Sequence, residues 1–384
     1  MDTKFPRANG DAKRPPLPAR VGSSRQGLKG SKIKNDKKGA PSKGFSSRRS
    51  SSDLPERPSS GFSLAGSNKI RSELLSALFA EENEFASILS AYEFMEKLGE
   101  GSFGTAWKVR RKTDGYVCVC KQIHISELAK SELDAIVNEV IVLHSLSSKY
   151  VIRYLHSFVD RSETNEDVFN IIMEYAPNGT LQQRIKERVH FDESTIWGYF
   201  LQMALGLHHI HSHRILHCDI KPSNVLIGEN ECLKISDCGC SKILHDAHRL
   251  GSNKATGTLM YMAPEMIAQK PYNEKSDIWS LGCTMYELCT LSHTFAASNK
   301  KALCDMIEKG FIRPISRSRY STDLAWILTW ILSKDPSSRP DTSELLSNPI
   351  VVAKAQDLSI ELPIFPPLSH RRLLIPLPIL PHAS

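Results

Sequence analysis

The sequence predicts an α+β fold in two lobes, a β-rich small lobe followed by an α-helical large lobe. Three observations predict it. Short apolar runs separated by turn signals fill residues 92–123, helical periodicity takes over after Leu181, and 384 residues suffice for one large two-lobed domain with tails.

The elements follow in chain order. Residues 1–68 are rich in Ser, Gly, Pro, Lys and Arg and poor in large apolar side chains. Such a segment buries too little surface to offset its ordering entropy, so a disordered basic tail is expected. Its Arg48-Arg49-Ser50 step reads either as a phosphoacceptor or simply as a solvated tail. Residues 69–91 carry Ile70, Leu74, Leu78, Phe85, Ile88 and Leu89 at helical intervals, predicting a helical lead-in. The folded domain is expected over residues 92–351. Phe94–Gly99, Ala106–Arg110 and Tyr116–Ile123 read as strands, with a turn at Thr113-Asp114-Gly115. Glu127–Leu146 reads as a helix, and so do Ile196–His211, Ser276–Leu291 and Leu324–Ser333. From 352 to 384, prolines recur among Leu and Ile; a Pro-rich apolar tail without helix is expected, lying extended on the body or docking a partner groove.

Charge is uneven. Residues 1–70 hold 16 Lys and Arg against 5 Asp and Glu, a net +11, while the whole chain is +7 and the remainder therefore −4. The basic excess belongs to the tail, and nothing points to a nucleic-acid-binding body. No stretch is long and apolar enough to span a bilayer, and the first residues lack the apolar core of a secretory signal. Nine cysteines, an odd number with no Cys-x-x-Cys pair, fit reduced thiols inside the cell.

Gly99-Glu100-Gly101-Ser102-Phe103-Gly104 lies between two strand-like runs. Glycines let backbone amides approach phosphates without an intervening Cβ. Dinucleotide-binding folds use this pattern between a strand and a helix, but here a second strand follows, which excludes that reading. Strand alternation places Val119 and Lys121 on one face and Cys118 and Cys120 on the other. If the glycine loop covers a nucleotide, Lys121 reaches its α- and β-phosphates. Glu139, beside the apolar face of its helix, can turn inward and hold Lys121 by an ion pair.

The strongest signal is His217-Cys218-Asp219-x-Lys221-x-x-Asn224, followed by Asp237-Cys238-Gly239. With these residues the chain resembles the eukaryotic protein kinase family of serine/threonine type. Within it, Leu98–Gly104 and Lys121-Gln122-Ile123 look most like NIMA-related kinases. The resemblance implies the two-lobed protein kinase fold over residues 92–351, with ATP and Mg²⁺ as cofactors and protein substrates. It implies that Asp219 accepts the substrate hydroxyl proton, Lys221 steadies the γ-phosphate, and Asn224 and Asp237 hold Mg²⁺. Gly99, Gly101, Phe103, Gly104 and Lys121 would face the nucleotide, Met173 the back of the adenine pocket, Glu174 and Ala176 the hinge, and Leu226 the floor. Gly257–Glu265 resembles the end of an activation segment, and Arg339 is placed to pair with Glu265. Thr258 and Lys221 together argue for serine or threonine substrates.

Four positions depart from that family's pattern. Cys218 stands where an arginine usually pairs with a phosphorylated activation-segment residue, so phosphorylation at Ser252 or Thr256 is not expected to act through residue 218. Cys238 replaces an aromatic, predicting less buried contact and a looser equilibrium between states. Val119 narrows the adenine pocket, and Ala106 offsets it in volume. Cys120, Cys218, Cys238 and Cys240 read as small buried fillers, the alternatives being a metal or a redox-sensitive site.

An active ATP-dependent serine/threonine kinase is therefore expected, with a pseudokinase scaffold as the alternative. Cytoplasmic location is expected, with cytoskeletal association or the nucleus as variants. The tails are candidate contacts for cytoskeletal or regulatory proteins, acidic tubulin surfaces among them.

Overall fold

The computed structural model describes residues 88–101, 104–126, 128–161, 166–243 and 258–365. The basic tail, most of the lead-in, Phe103, Ser252, Thr256 and the prolines from Pro366 onward lie outside these residues. Of the lead-in, only Ile88–Ala91 is described, as a single 3₁₀ turn.

Strands β1 (Tyr92–Gly101), β2 (Gly104–Arg111), β3 (Val117–His124), β4 (Tyr154–Arg161) and β5 (Asp167–Glu174) form one antiparallel sheet, ordered β1-β2-β3-β5-β4. Each of the three expected strands is present; the first two extend one or two residues further, because ladder partners continue through Gly101↔Gly104, and the third is shifted by one residue, to Val117–His124. Period-two alternation sorts the side chains of β3. Cys118 and Cys120 face a small core with Tyr92, Val109, Phe158 and Ile172, while Ile123 joins the main core with Phe169 and Ile171 of β5. Asn170 is a polar residue buried in that central strand, and its Oδ1 accepts from Gln122 Nε2 at 3.1 Å, so its burial is compensated.

Helix α1 (Lys130–Ser145) starts three residues later than the periodicity suggested. The Glu132 carboxylate accepts from the Ala129 backbone N–H at 2.9 Å and so fixes the first turn there. Its buried stripe of Ile136, Val140 and Leu143 packs into the main core.

The large lobe is organised by two nearly enveloped helices, α3 (Glu193–Ser212) and α5 (Lys275–Thr290), which follow the short α2 (Leu181–Lys186) and α4 (Pro264–Ile267). Asp192 caps α3, accepting from Thr195 N–H at 2.6 Å. Gly282 in α5 is required by close approach, since a Cβ there would lie 2.7 Å from Leu332 Cγ. Helices α6 (Lys300–Lys309), α7 (Thr322–Ile331) and α8 (Thr342–Leu346) complete the lobe. Two short ribbons hold the loops between the lobes. They are β6 (Ile215–Leu216) with β9 (Lys242–Ile243), and β7 (Val225–Ile227) with β8 (Leu233–Ile235).

The C-terminal expectation needs a correction. Helix α9 (Pro349–Asp357) runs past residue 351, because the first proline able to stop it is Pro363. Leu358, Ile360, Leu362 and Phe365 then pack against the core without helix. Among the described residues no helix is long and apolar enough to cross a membrane.

The expected pair of Arg339 and Glu265 exists in full burial. Arg339 donates to both carboxylate oxygens, at 2.8 and 3.2 Å, and to the Lys275 and Ser333 carbonyls. Its guanidinium also sits 5.2 Å from the Trp279 ring centroid. Arg339→Ala leaves the Glu265 carboxylate buried without its cation, so urea unfolding should show a loss of about 3–5 kcal/mol. A loss near zero would show that the pair contributes nothing.

Candidate active site

The sheet, α1 and the two ribbons converge on a cavity of about 530 Å³. Gly99, Gly104, Ala106 and Val119 line it from the sheet, and Lys121 projects into it from β3. Met173 and Glu174, at the end of β5, line its back, and Leu226 its floor. Asp219, Lys221, Asn224 and Asp237 complete it from the ribbon loops. Ala176 is buried next to the hinge but does not line the cavity. Gly101 pairs with Gly104 at the end of the first hairpin.

Lys121 Nζ is 2.7 Å from Glu139 Oε1, and the glutamate side chain is only 6% exposed. Burial works against the ammonium charge, but the Glu139 carboxylate outweighs it and holds the Lys121 pKa above the ordinary lysine value. Helix α1 is also tied to the Asp237 turn, as Asn138 Nδ2 donates to the Ser241 carbonyl at 3.2 Å.

The catalytic-loop candidates form a closed hydrogen-bond ring. Lys221 Nζ donates to Asp219 Oδ2 at 2.6 Å and to Thr258 Oγ1 at 2.7 Å. Thr258 donates to Asp219 Oδ1 through its hydroxyl and its backbone N–H, both at 2.9 Å. Asn224 Nδ2 donates to Asp219 Oδ2 at 3.0 Å and to the Asp219 carbonyl at 2.9 Å. Burial raises the Asp219 pKa, but the donors from Lys221 and Thr258 prevail and hold it below the ordinary aspartate value.

Sequence reasoning assigned no role in the site to Asp277. Its Oδ2 accepts from the His217 backbone N–H and from His211 Nε2, each at 2.9 Å, and Oδ1 accepts from the Cys218 N–H at 2.9 Å. A contact reaching back sixty residues leaves no local pattern in the sequence. The clamp matters because Cys218 sits at φ +66°, a left-handed conformation unfavourable for a residue with a Cβ. His217 adds a second tie, Nε2 donating to the Ser236 carbonyl at 3.0 Å while Nδ1 accepts the Asp219 N–H at 3.3 Å.

Asp237 is also left-handed, at φ +62°, and its Oδ1 accepts from the Gly239 N–H at 3.4 Å. Because both Asn224 N–H groups are directed at Asp219, the amide oxygen of Asn224 remains as an acceptor. Asn224 and Asp237 thus offer hard oxygen donors on one cavity wall, a set that fits Mg²⁺, which takes few ligands from protein.

The cysteines behave as fillers where they are deepest. Cys238 is 1% exposed in the main core, and burial followed by the nearby Glu139 carboxylate pushes its thiol up to about 12. Burial pushes Cys120 up to about 12 as well. Among the described residues no group of three metal-ligating side chains occurs, and all nine cysteines are among them. At pH 8 a thiol near 12 is thiolate only on the order of one part in 10⁴. Iodoacetamide should therefore leave Cys120 and Cys238 unlabelled in the folded chain and label both after unfolding, as read by peptide mass. Rapid labelling of Cys238 in the folded chain would contradict this.

Residues 92–351 match the protein kinase domain family. The chain is 38% identical over 281 residues to a probable serine/threonine-protein kinase nek2 of Dictyostelium discoideum, an alignment covering 71% of this chain and 66% of that protein. It is 38% identical over 267 residues to serine/threonine-protein kinase Nek8 of Danio rerio, covering 69% and 37%. Against human serine/threonine-protein kinase Nek2 it is 37% identical over 276 residues, covering 69% and 61%. The chain thus spans less than two thirds of the length of these relatives. With the match covering most of the chain and coinciding with the folded region, the chain belongs to the protein kinase family, and its similarity lies with the NIMA-related serine/threonine kinases.

Proposed function

We propose that this chain is an active ATP-dependent serine/threonine protein kinase, transferring the γ-phosphate of ATP to hydroxyls of protein substrates. One observation carries the reading: the Lys121–Glu139 pair is formed at 2.7 Å in the same cavity that Asp219, Asn224 and Asp237 line. A scaffold without turnover has no need to hold these five groups together.

Phosphoryl transfer requires little covalent chemistry from the protein, so positioning and charge dominate. In this reading Lys121, fixed by Glu139, positions the α- and β-phosphates. Asp219 orients the substrate hydroxyl and takes its proton, and its depressed pKa keeps it ionised for that task. Lys221 sits 2.6 Å from Asp219 and offsets charge on the transferred group. Asn224 and Asp237 would hold Mg²⁺, which when bound neutralises charge on the phosphate oxygens. Thr258 holds Asp219 and Lys221 in register, which ties the segment that meets the substrate to the group that activates it.

The reading extends to partners and place. The basic N-terminal segment would attract acidic surfaces such as tubulin through charge, and a cytoplasmic location would keep the nine thiols reduced.

The test is phosphate transfer from ATP to a generic protein substrate. Asp219→Asn should lower turnover by about 10²–10⁴-fold with nucleotide binding retained. Thr258→Val should lower kcat by about 10- to 100-fold with the KM for ATP nearly unchanged, and Thr258→Ser should restore it. Equal rates for the unmodified chain and Asp219→Asn would overturn the kinase reading in favour of a scaffold.

A further inference from the structure

The cysteine that replaces arginine in the catalytic loop does not stand alone. Strands β6 and β9 pair Ile215 with Ile243 and Leu216 with Lys242. The ladder ends there, with Cys218 in the left-handed region at φ +66° and Cys240 in the 3₁₀ turn Cys238–Cys240. Side-chain packing brings the two segments together. Leu216 and Cys218 form a small apolar cluster against which Cys240 and Tyr272 pack. The backbone on one side is pinned, since the Cys218 N–H donates to Asp277 Oδ1 at 2.9 Å. A disulfide requires Cα atoms about 4.4–6.8 Å apart, a span compatible with two side chains that pack in one cluster.

The two thiols differ in access. Cys218 is 7% exposed, whereas Cys240 is half-buried and lines the cavity beside Asp237 and Lys121. We propose that Cys218 and Cys240 form a reversible disulfide under peroxide, tying the catalytic loop to the Asp237 turn.

The steps balance with hydrogen peroxide as the oxidant. The Cys240 sulfur attacks one peroxide oxygen, the O–O bond breaks, and Cys240 becomes a sulfenic acid as one water leaves. The Cys218 sulfur then attacks the Cys240 sulfur, the S–O bond breaks, and a second water carries away the oxygen. Two thiols and one peroxide thus give one disulfide and two waters. Burial, then the Asp219 and Asp237 carboxylates, hold the Cys240 thiol above its ordinary pKa, which makes the first step slow. The second step is favoured because both side chains belong to one packed cluster. Sustained peroxide is therefore registered, and a thiol reductant reverses it.

The bond has a consequence for the site. Cys240 faces the cavity, whereas Cys218 is packed with Leu216 and Tyr272. Joining their sulfurs draws the Cys238–Cys240 turn toward the catalytic loop and re-aims the Asp237 carboxylate, whose Oδ1 accepts from Gly239 N–H inside that turn. Displacements of about 1 Å in such a site cost on the order of 10²-fold in rate. This effect on turnover rests on the kinase reading above, whereas the bond does not.

The experiment treats the full-length chain with hydrogen peroxide, blocks remaining thiols with N-ethylmaleimide, and maps peptides by mass. The expected result is a cross-linked pair of peptides containing Cys218 and Cys240, two hydrogens lighter than the separate peptides and absent after dithiothreitol. Phosphate transfer should fall about 10²-fold with the cross-link and return on reduction. Cys240→Ser should abolish both the cross-link and the reductant-reversible loss. Three results overturn the bond: Cys240 in sulfinic or sulfonic form with Cys218 still alkylated after unfolding, a link from Cys240 to Cys238, or both thiols intact. A cross-link with unchanged turnover overturns the switch. A reduced chain without any turnover defeats the kinase reading instead, and the peptide masses still decide the bond.

Discussion

The carboxylate of Asp277 is the constraint on which the site depends. It is 2% exposed on the first turn of a long buried helix, and burial alone would make its charge unfavourable. Three donors compensate it, two of them backbone N–H groups of the catalytic loop, and its pKa lies below the ordinary aspartate value despite the burial. The charge is stable because the loop is there, and the loop holds a left-handed cysteine because the charge is there. Removing either leaves the other uncompensated in a dry interior, which makes the arrangement all-or-none. Asp219, one residue beyond the clamp, inherits its position from the core of the large lobe.

The small lobe reaches the same centre by a different route. Lys121 is fixed to the central part of the sheet by its strand, and α1 carries Glu139 to it. The same helix touches the Asp237 turn twice. Asn138 donates to Ser241, and a Cβ built on Gly239 would lie in ordinary contact with Glu139 Oε2, at 3.5 Å. The tighter neighbour of that Cβ is Asp237 Oδ1, at 3.2 Å. The small side chain at 238 does not leave a gap in the observed arrangement, since Cys238 is enclosed in the main core. What its size forgoes is contact area, so this turn is held more by the polar ties of Asn138 and Asp237 than by packing.

The fold was legible because its signals are local. Alternation sorted Cys118 and Cys120 from Val119 and Lys121, and periodicity placed the buried stripe of α1. The resemblance of the motifs to protein kinases implies one site for Lys121, Glu139, Asp219, Asn224 and Asp237, and all five line one cavity. The misses share a cause. Asp277 and His211 reach the site through contacts far apart in sequence, and their residue types are ordinary for a helix turn or a core. Ala176 is buried beside the hinge without lining the cavity, a placement that no motif spacing encodes. The end of α9 is not legible in the composition of the tail, because the prolines begin only at Pro363 while the helix runs to Asp357.

Cys218 shows how a loop can be ordered without the cation usual at that position. From the helix side, Asp277 fixes the backbone of residues 217 and 218. From the segment side, Thr258 closes on Asp219 and Lys221 through neutral and charge-assisted hydrogen bonds. Neither tie needs a positive side chain at 218, and none is present to receive a phosphate from Ser252 or Thr256. An arginine there would also require a charged partner, because its guanidinium would otherwise enter the apolar contact of Leu216 and Tyr272. A thiol fills that space at no cost in unpaired charge. The Asp277 and Thr258 hydrogen bonds and the packing of Cys218 with Leu216 therefore order this loop without a charged side chain at 218.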